Sequence, residues 1–234
     1  AFLQKKVKLT DGKGTLTTDE LEYDAAVKIG TYLKGGKLVN KKTVLTSTEG
    51  YYYGDTKDVL FKRKVVLIDP EYKIYTDTLQ YNTNTEIATF TSPAKIYNEK
   101  RIISTRNGFF DMKNKKATLY ERSFIDDSTY TLTADDMAFD DSTGMNELRG
   151  NAVFRGKDSA EGADMIANNI KINKKKNSVL ATEKPLLLIK QGRDTIFVTA
   201  DLLYSARLSD LQKTRTIPQV RDTLKTGTSL AANK

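Results

Sequence analysis

The sequence predicts an all-β chain: an elongated, folded-over antiparallel sheet of V-shaped strands, built from two-strand repeats of about 29 residues. Three observations lead there. Seven segments align as LTTDELEYD (16–24), LTSTEGYYY (45–53), IYTDTLQYN (74–82), ISTRNGFFD (103–111), LTADDMAFD (132–140), MIANNIKIN (165–173) and VTADLLYS (198–205), with starts 29 residues apart four times and then 33 apart twice. Apolar or small residues hold positions one and three of each segment, then six and eight, which is period two with one change of parity. No segment shows the 3.6-residue period of a helix.

The elements follow in order. The parity change bends or bulges the first strand of each repeat near Asp135 and its equivalents Asp19, Thr48, Asp77, Arg106, Asn168 and Asp201. Position one carries Leu45, Ile74, Ile103 and Leu132, position six Leu79 and Met137 with Gly50 and Gly108 among them, and position eight Tyr52, Tyr81, Phe110 and Phe139. The second strand carries Phe61, Phe90, Leu119 and Leu148, and six residues later a further apolar column that includes Ile96 and Phe154. Between those two columns lie Lys34 and Gly35, Arg63 and Lys64, Ser92 and Pro93, Gly150 and Asn151, so this strand bends as well. Two strands from each of six repeats and the start of a seventh make thirteen, and the opening KKVKLTDGKG resembles the end of a preceding second strand, as in an excised piece of a longer array.

The four aspartates of TLTADDMAFDDSTG (131–144) look at first like a metal cage or a catalytic pair. Columns argue otherwise. Asp140 aligns with Asp24, Asn82, Asp111 and Asn173, each at the start of a four-residue turn, where a short polar side chain bonds its own backbone. Asn40, Asp69, Asn98 and Asp127 form a second such column. A position that holds aspartate, threonine and arginine within one chain is a poor metal ligand, and the spacing lacks the alternate carboxylates and central glycine of a calcium loop.

Composition narrows the chemistry. The 234 residues contain no Cys, His or Trp, which removes thiol nucleophiles, imidazole bases, disulfides and the usual zinc, copper or haem sites. No catalytic residue, metal or cofactor is expected. Apolar runs reach only four residues, as in Leu186 to Ile189, so neither a transmembrane helix nor a signal peptide is expected. The net charge of +8 favours anionic partners. Nucleic acid is set aside, because no strand interleaves basic residues with exposed aromatics.

The bent strands make two half-sheets that face each other over an apolar crease. Either the crease is a closed core, as in a structural or adhesive β-solenoid, or it is a slot for acyl chains. Tyr23, Tyr52 and Tyr81 could place hydroxyls at its rim, and Lys34, Arg63, Lys64 and Arg122 could meet phosphates. A carbohydrate-active β-helix would need two acids held at fixed separation, whereas the acids here lie chiefly in turns. Residues 206–234 lack alternation and read as a polar tail, a linker or a loose cap to a domain spanning 1–205.

The recurring LTADDMAFD and LTTDELEYD units, with LRGNAVFRG (148–156), YTDTLQYNTNTEIATF (75–90) and GGKLVN (35–40), resemble the OstA-like/LptA family of lipopolysaccharide-transport proteins, Bacteroidetes-type OstA-like proteins in particular. The resemblance covers roughly residues 5 to 205. It implies a periplasmic β-jellyroll that binds the lipid A part of lipopolysaccharide along the interior columns named above. It also implies end-to-end pairing of edge strands with other jellyroll modules, in a bridge that delivers lipopolysaccharide to the outer membrane. The family has no catalytic residues to carry over.

Overall fold

The computed structural model describes residues 1–98, 101–157 and 162–214. They form twenty-two strands and one short helix, Leu208–Thr214. Six strands run through the bend unbroken: Phe2–Thr10, Gly14–Asp24, Asp58–Ile68, Lys73–Asn82, Met145–Gly156 and Ala163–Asn173. The other sixteen are the halves of eight bent strands, such as Ile29–Tyr32 with Gly36–Asn40. The array is therefore fourteen bent strands, one more than the thirteen expected, because Phe2–Thr10 is a whole bent strand paired with Gly14–Asp24 along its length. Each bent strand pairs antiparallel with the next in the chain, so the sheet is a continuous meander folded along its middle.

The bend has a specific backbone origin. Five of the seven alternate bent strands turn through two successive residues in the left-handed region, Lys5 and Lys6, Arg63 and Lys64, Glu121 and Arg122, Gly150 and Asn151, Glu183 and Lys184, and the strand bent at Lys34–Gly35 does so through Gly35 alone. In the unbroken strands the register slips there by one residue, between Lys62 and Val65 and between Arg149 and Ala152, which is a bulge of two residues opposite one. The single residue opposite belongs to the Asp135 column. Its backbone keeps the ladder whole, since the Asp135 N–H donates to Gly150 C=O at 2.9 Å and its C=O accepts from Arg122 N–H at 3.0 Å. Thr48 does the same between Arg63 and Gly35. The Ser92–Pro93 step departs from the pattern because proline cannot take a positive φ; there Ser92 Oγ accepts the Thr78 N–H at 2.9 Å instead.

Asp135 thus has a backbone role that any residue with a main-chain N–H can fill. Its carboxylate also accepts from Asn151 Nδ2 at 2.7 Å and Arg122 at 3.2 Å, in an exposed setting. Asp135→Asn is expected to cost less than about 1 kcal/mol, read from a denaturant midpoint, because exposed pairs of this kind contribute little.

Two interior ladders organise the core. On one half-sheet Leu9, Leu16, Leu38, Leu45, Leu67, Ile74, Ile96, Ile103, Ile125, Leu132, Phe154, Met165, Leu187 and Val198 stand directly opposite one another in succession. On the other the order Tyr32, Gly50, Phe61, Leu79, Phe90, Gly108, Leu119, Met137, Leu148, Ile170 and Ala181 is equally unbroken. The two glycines interrupting the sixth-position column now have a reason. A Cβ on Gly50 would sit 2.4 Å from the Tyr32 ring, and one on Gly108 would sit 2.4 Å from the Thr118 carbonyl oxygen with φ at +152. Tyr32 is fully buried and its hydroxyl lies 2.7 Å from Ser47 Oγ, so it cannot step aside. Gly50→Ala should therefore destabilise by about 1–3 kcal/mol through overpacking, seen as a lower melting temperature.

The four-residue turns at the far end of the first-segment strands behave as the columns foretell. Asp140 Oδ1 accepts the backbone N–H groups of Ser142 and Thr143, Asn82 Oδ1 those of Asn84 and Thr85, and Asp24 Oδ1 that of Ala26. The second column is mixed. Asp69 and Asp127 start turns, whereas Asn40 and Asn98 reach sideways, Asn40 Nδ2 donating to the Thr83 carbonyl and to Tyr81 Oη. Of the tail, residues 206–214 are described and include the helix; the remainder of 206–234 lies outside the described residues.

Candidate functional site: an apolar crease and its mouth

The crease gathers the sequence-predicted interior columns. Leu45, Tyr52, Phe61, Ile74, Leu79, Tyr81, Phe90, Ile96, Ile103, Phe110, Leu119, Leu132, Met137, Phe139 and Leu148 are all buried, and Phe154 is partly so. Over most of its length the crease is filled by these side chains packed against one another. The reason is the residues beside the bend, Thr18, Gly36, Ser47, Thr76, Ala94, Thr105, Ser123, Ala134, Ala152 and Ala167, which are small and let the half-sheets converge.

The rim tyrosines hold the mouth shut. Tyr52 Oη donates to Asp11 at 3.2 Å, Thr83 Oγ1 donates to the same carboxylate at 2.8 Å, and Tyr81 Oη accepts from Asn40. Burial works against ionisation of Asp11, but the Gly14 and Lys13 backbone N–H groups and the two hydroxyls outweigh it and bring its pKa down to about 2. Burial pushes the Tyr81 hydroxyl up to about 12 and that of Tyr32 likewise. Further along, Tyr72 Oη donates to Asp141 at 2.9 Å while its ring packs edge-on against Phe110, centroids 4.4 Å apart. The ion pairs Lys41–Glu86 and Lys115–Glu71 also cross the mouth.

Closure weakens toward the last repeats. Ile172, Val179, Leu187 and Leu203 are only partly buried and Ile196 on the last strand is 45% exposed, whereas the exposed Phe197, Leu202 and Tyr204 stand on the outer face. The mouth stands open at a cleft of about 480 Å³ between the half-sheets. Arg101, Tyr130 and Phe154 line it from one side, and Ile172, Lys174 and Val179 from the other.

The cations proposed from sequence lie elsewhere. Lys34 pairs with Glu20, Arg63 with Glu49 and Arg122 with Asp135, all at the bend and away from the mouth. Sequence reading missed Arg101 and Lys174. The signal was available one residue past each turn-starting Asp or Asn: Ala25, Thr83, Met112, Asp141 and Lys174, with Gly54 after Tyr53, form a mouth column that becomes charged toward the C-terminal end. Among the described residues no cluster of acids has metal-binding geometry, and no helix is long and apolar enough to cross a membrane.

A family model described as OstA-like protein matches residues 1–77 and 63–135. No curated protein matches the chain. The crystal structure of LptH, the LptA homologous periplasmic component of the conserved lipopolysaccharide transport device from Pseudomonas aeruginosa, aligns at 10% identity over 60% of this chain and 82% of that one, with a TM-score of 0.28. A likeness of that order carries no information on ligand or location.

Proposed function

The chain belongs to the OstA-like family, and on that basis we propose that it is a non-enzymatic lipid-binding module of lipopolysaccharide transport, working in the periplasm of a Gram-negative bacterium. In this reading the crease receives the acyl chains of lipid A, and the open strand edges pair with other jellyroll modules in a bridge to the outer membrane. The observation that carries it is the unbroken apolar ladder from Leu9 to Val198, its mouth closed across Asp11, Tyr52 and Thr83 and open at the cleft floored by Tyr130, Phe154, Ile172 and Val179. A ladder that served packing alone would gain nothing from an apolar cleft of about 480 Å³ left open in its mouth, since each buried methylene contributes about 0.8 kcal/mol. The filled N-terminal crease favours the other reading, a closed structural solenoid.

Titration with fluorescent lipid A separates the two. Saturable binding that unlabelled lipopolysaccharide displaces is expected. A signal that never saturates, with the protein folded, would leave the closed solenoid standing.

A further inference from the structure

We propose that the cleft at Arg101 and Lys174 is a headgroup site, which takes the phosphate of an anionic amphiphile while the acyl chain passes inward over Tyr130 and Phe154. The inference rests on the lipid-binding reading above and adds a place and a polarity to it.

Charge is the first ground. The Lys174 ammonium makes no hydrogen bond or ion pair among the described residues, on a residue that lines the cleft and is exposed as a whole. Burial pushes its pKa down, and Arg101 beside it pushes in the same direction, against weaker pulls from Asp141 and Asp127. Arg101 is well buried and meets its nearest carboxylate, Asp141, at a loose 3.8 Å, while the other oxygen of Asp141 holds the Tyr72 hydroxyl. Asp127 also lines the cleft, with Oδ1 taken by the Thr129 backbone N–H at 3.2 Å. Two neighbouring cations, one with a loosely held counter-ion and the other with none in contact, suit a phosphate, which can engage both.

Shape is the second ground. The floor beneath the cations is apolar: the Tyr130 and Phe154 rings stack with centroids 5.3 Å apart, and Ile172 and Val179 face them from the other half-sheet. Free phosphate needs no such floor. An acyl chain does, and Phe154 leads it directly onto the interior ladder at Leu132 and Met165.

The test titrates wild type, Arg101→Gln, Lys174→Gln and, as a control cation outside the cleft, Lys175→Gln with three probes: bisphosphorylated lipid A, dephosphorylated lipid A and inorganic phosphate. Each cleft variant should lose about tenfold in affinity for the phosphorylated lipid, the size of one charge-assisted contact, and nothing for the dephosphorylated one. The control should match wild type, and inorganic phosphate should bind far more weakly than the phosphorylated lipid. Lys174→Gln removes an exposed charge with no contacting partner, so its melting temperature should match that of wild type within a degree or two. Equal affinities of wild type and cleft variants for the phosphorylated lipid would overturn the headgroup site and leave lipid binding intact. Phosphate binding as tight as that of the lipid would overturn the amphiphile. Failure of wild type to bind either lipid would overturn both readings.

Discussion

Leu132→Asp should unfold the molecule or bring it close to unfolding at neutral pH. Leu132 is 1% exposed and stands between Ile125 and Phe154 on the interior ladder. The substitution removes the burial of a leucine side chain, about 2–3 kcal/mol, and adds a carboxylate with no partner, several kcal/mol more. A loss on the order of 5 kcal/mol approaches the whole stability of a typical domain. For a chain of this length it lowers the melting temperature by roughly 10–20 °C. Leu132→Met keeps volume and polarity and should cost less than about 1.5 kcal/mol. A Leu132→Asp protein melting within a degree or two of the parent would mean that the ladder faces water.

The second large effect is a gain. A Cβ placed on Gly14 lies 3.8 Å from the Thr83 Cβ, across the sealed end of the mouth. That separation is the mean for a disulfide, and the chain has no other cysteine to compete. Gly14→Cys combined with Thr83→Cys closes a loop of nearly seventy residues, for which the chain-entropy account gives about 4 kcal/mol. The net gain should be roughly 2–4 kcal/mol, because the Thr83 hydroxyl no longer serves Asp11 and the Leu38 side chain, 3.2 Å from the new Cβ, must shift. The melting temperature of the oxidised protein should rise and return to the parent value on reduction. Lipid binding should survive oxidation, since the open cleft lies at the other end of the crease. Lost binding that reductant restores would place access at the sealed end instead.

The sequence made the fold legible because one chain carries seven copies of the same constraint. Columns such as Leu45, Ile74, Ile103 and Leu132 separate interior from surface where a single strand could not. The turn role of Asp140 was readable because its equivalents are Asp or Asn. Other features depend on contacts between columns. Gly50 looks like a defect until Tyr32 is seen lying over it, and the left-handed pair at Arg63 and Lys64 reads only as a polar interruption. Asn40, aligned with turn formers, instead crosses to Thr83 because the half-sheets meet at the mouth. The same meeting explains why the cations were sought at the bend. Which turns oppose one another depends on the stagger between half-sheets, and neither Arg101 nor Lys174 stands out until the two are brought together.

The central claim is that the inward side of the folded sheet, and no other surface, holds lipid chains. Photo-reactive side chains at Phe110, Leu132 and Phe154, compared with Lys115 in a turn and Lys95 on the outer face, test it in a single cross-linking series with lipopolysaccharide. Adducts at the three inward positions, strongest at Phe154 beside the cleft, and none at Lys115 or Lys95 are the predicted result. Adducts confined to Lys115 and Lys95 would contradict it.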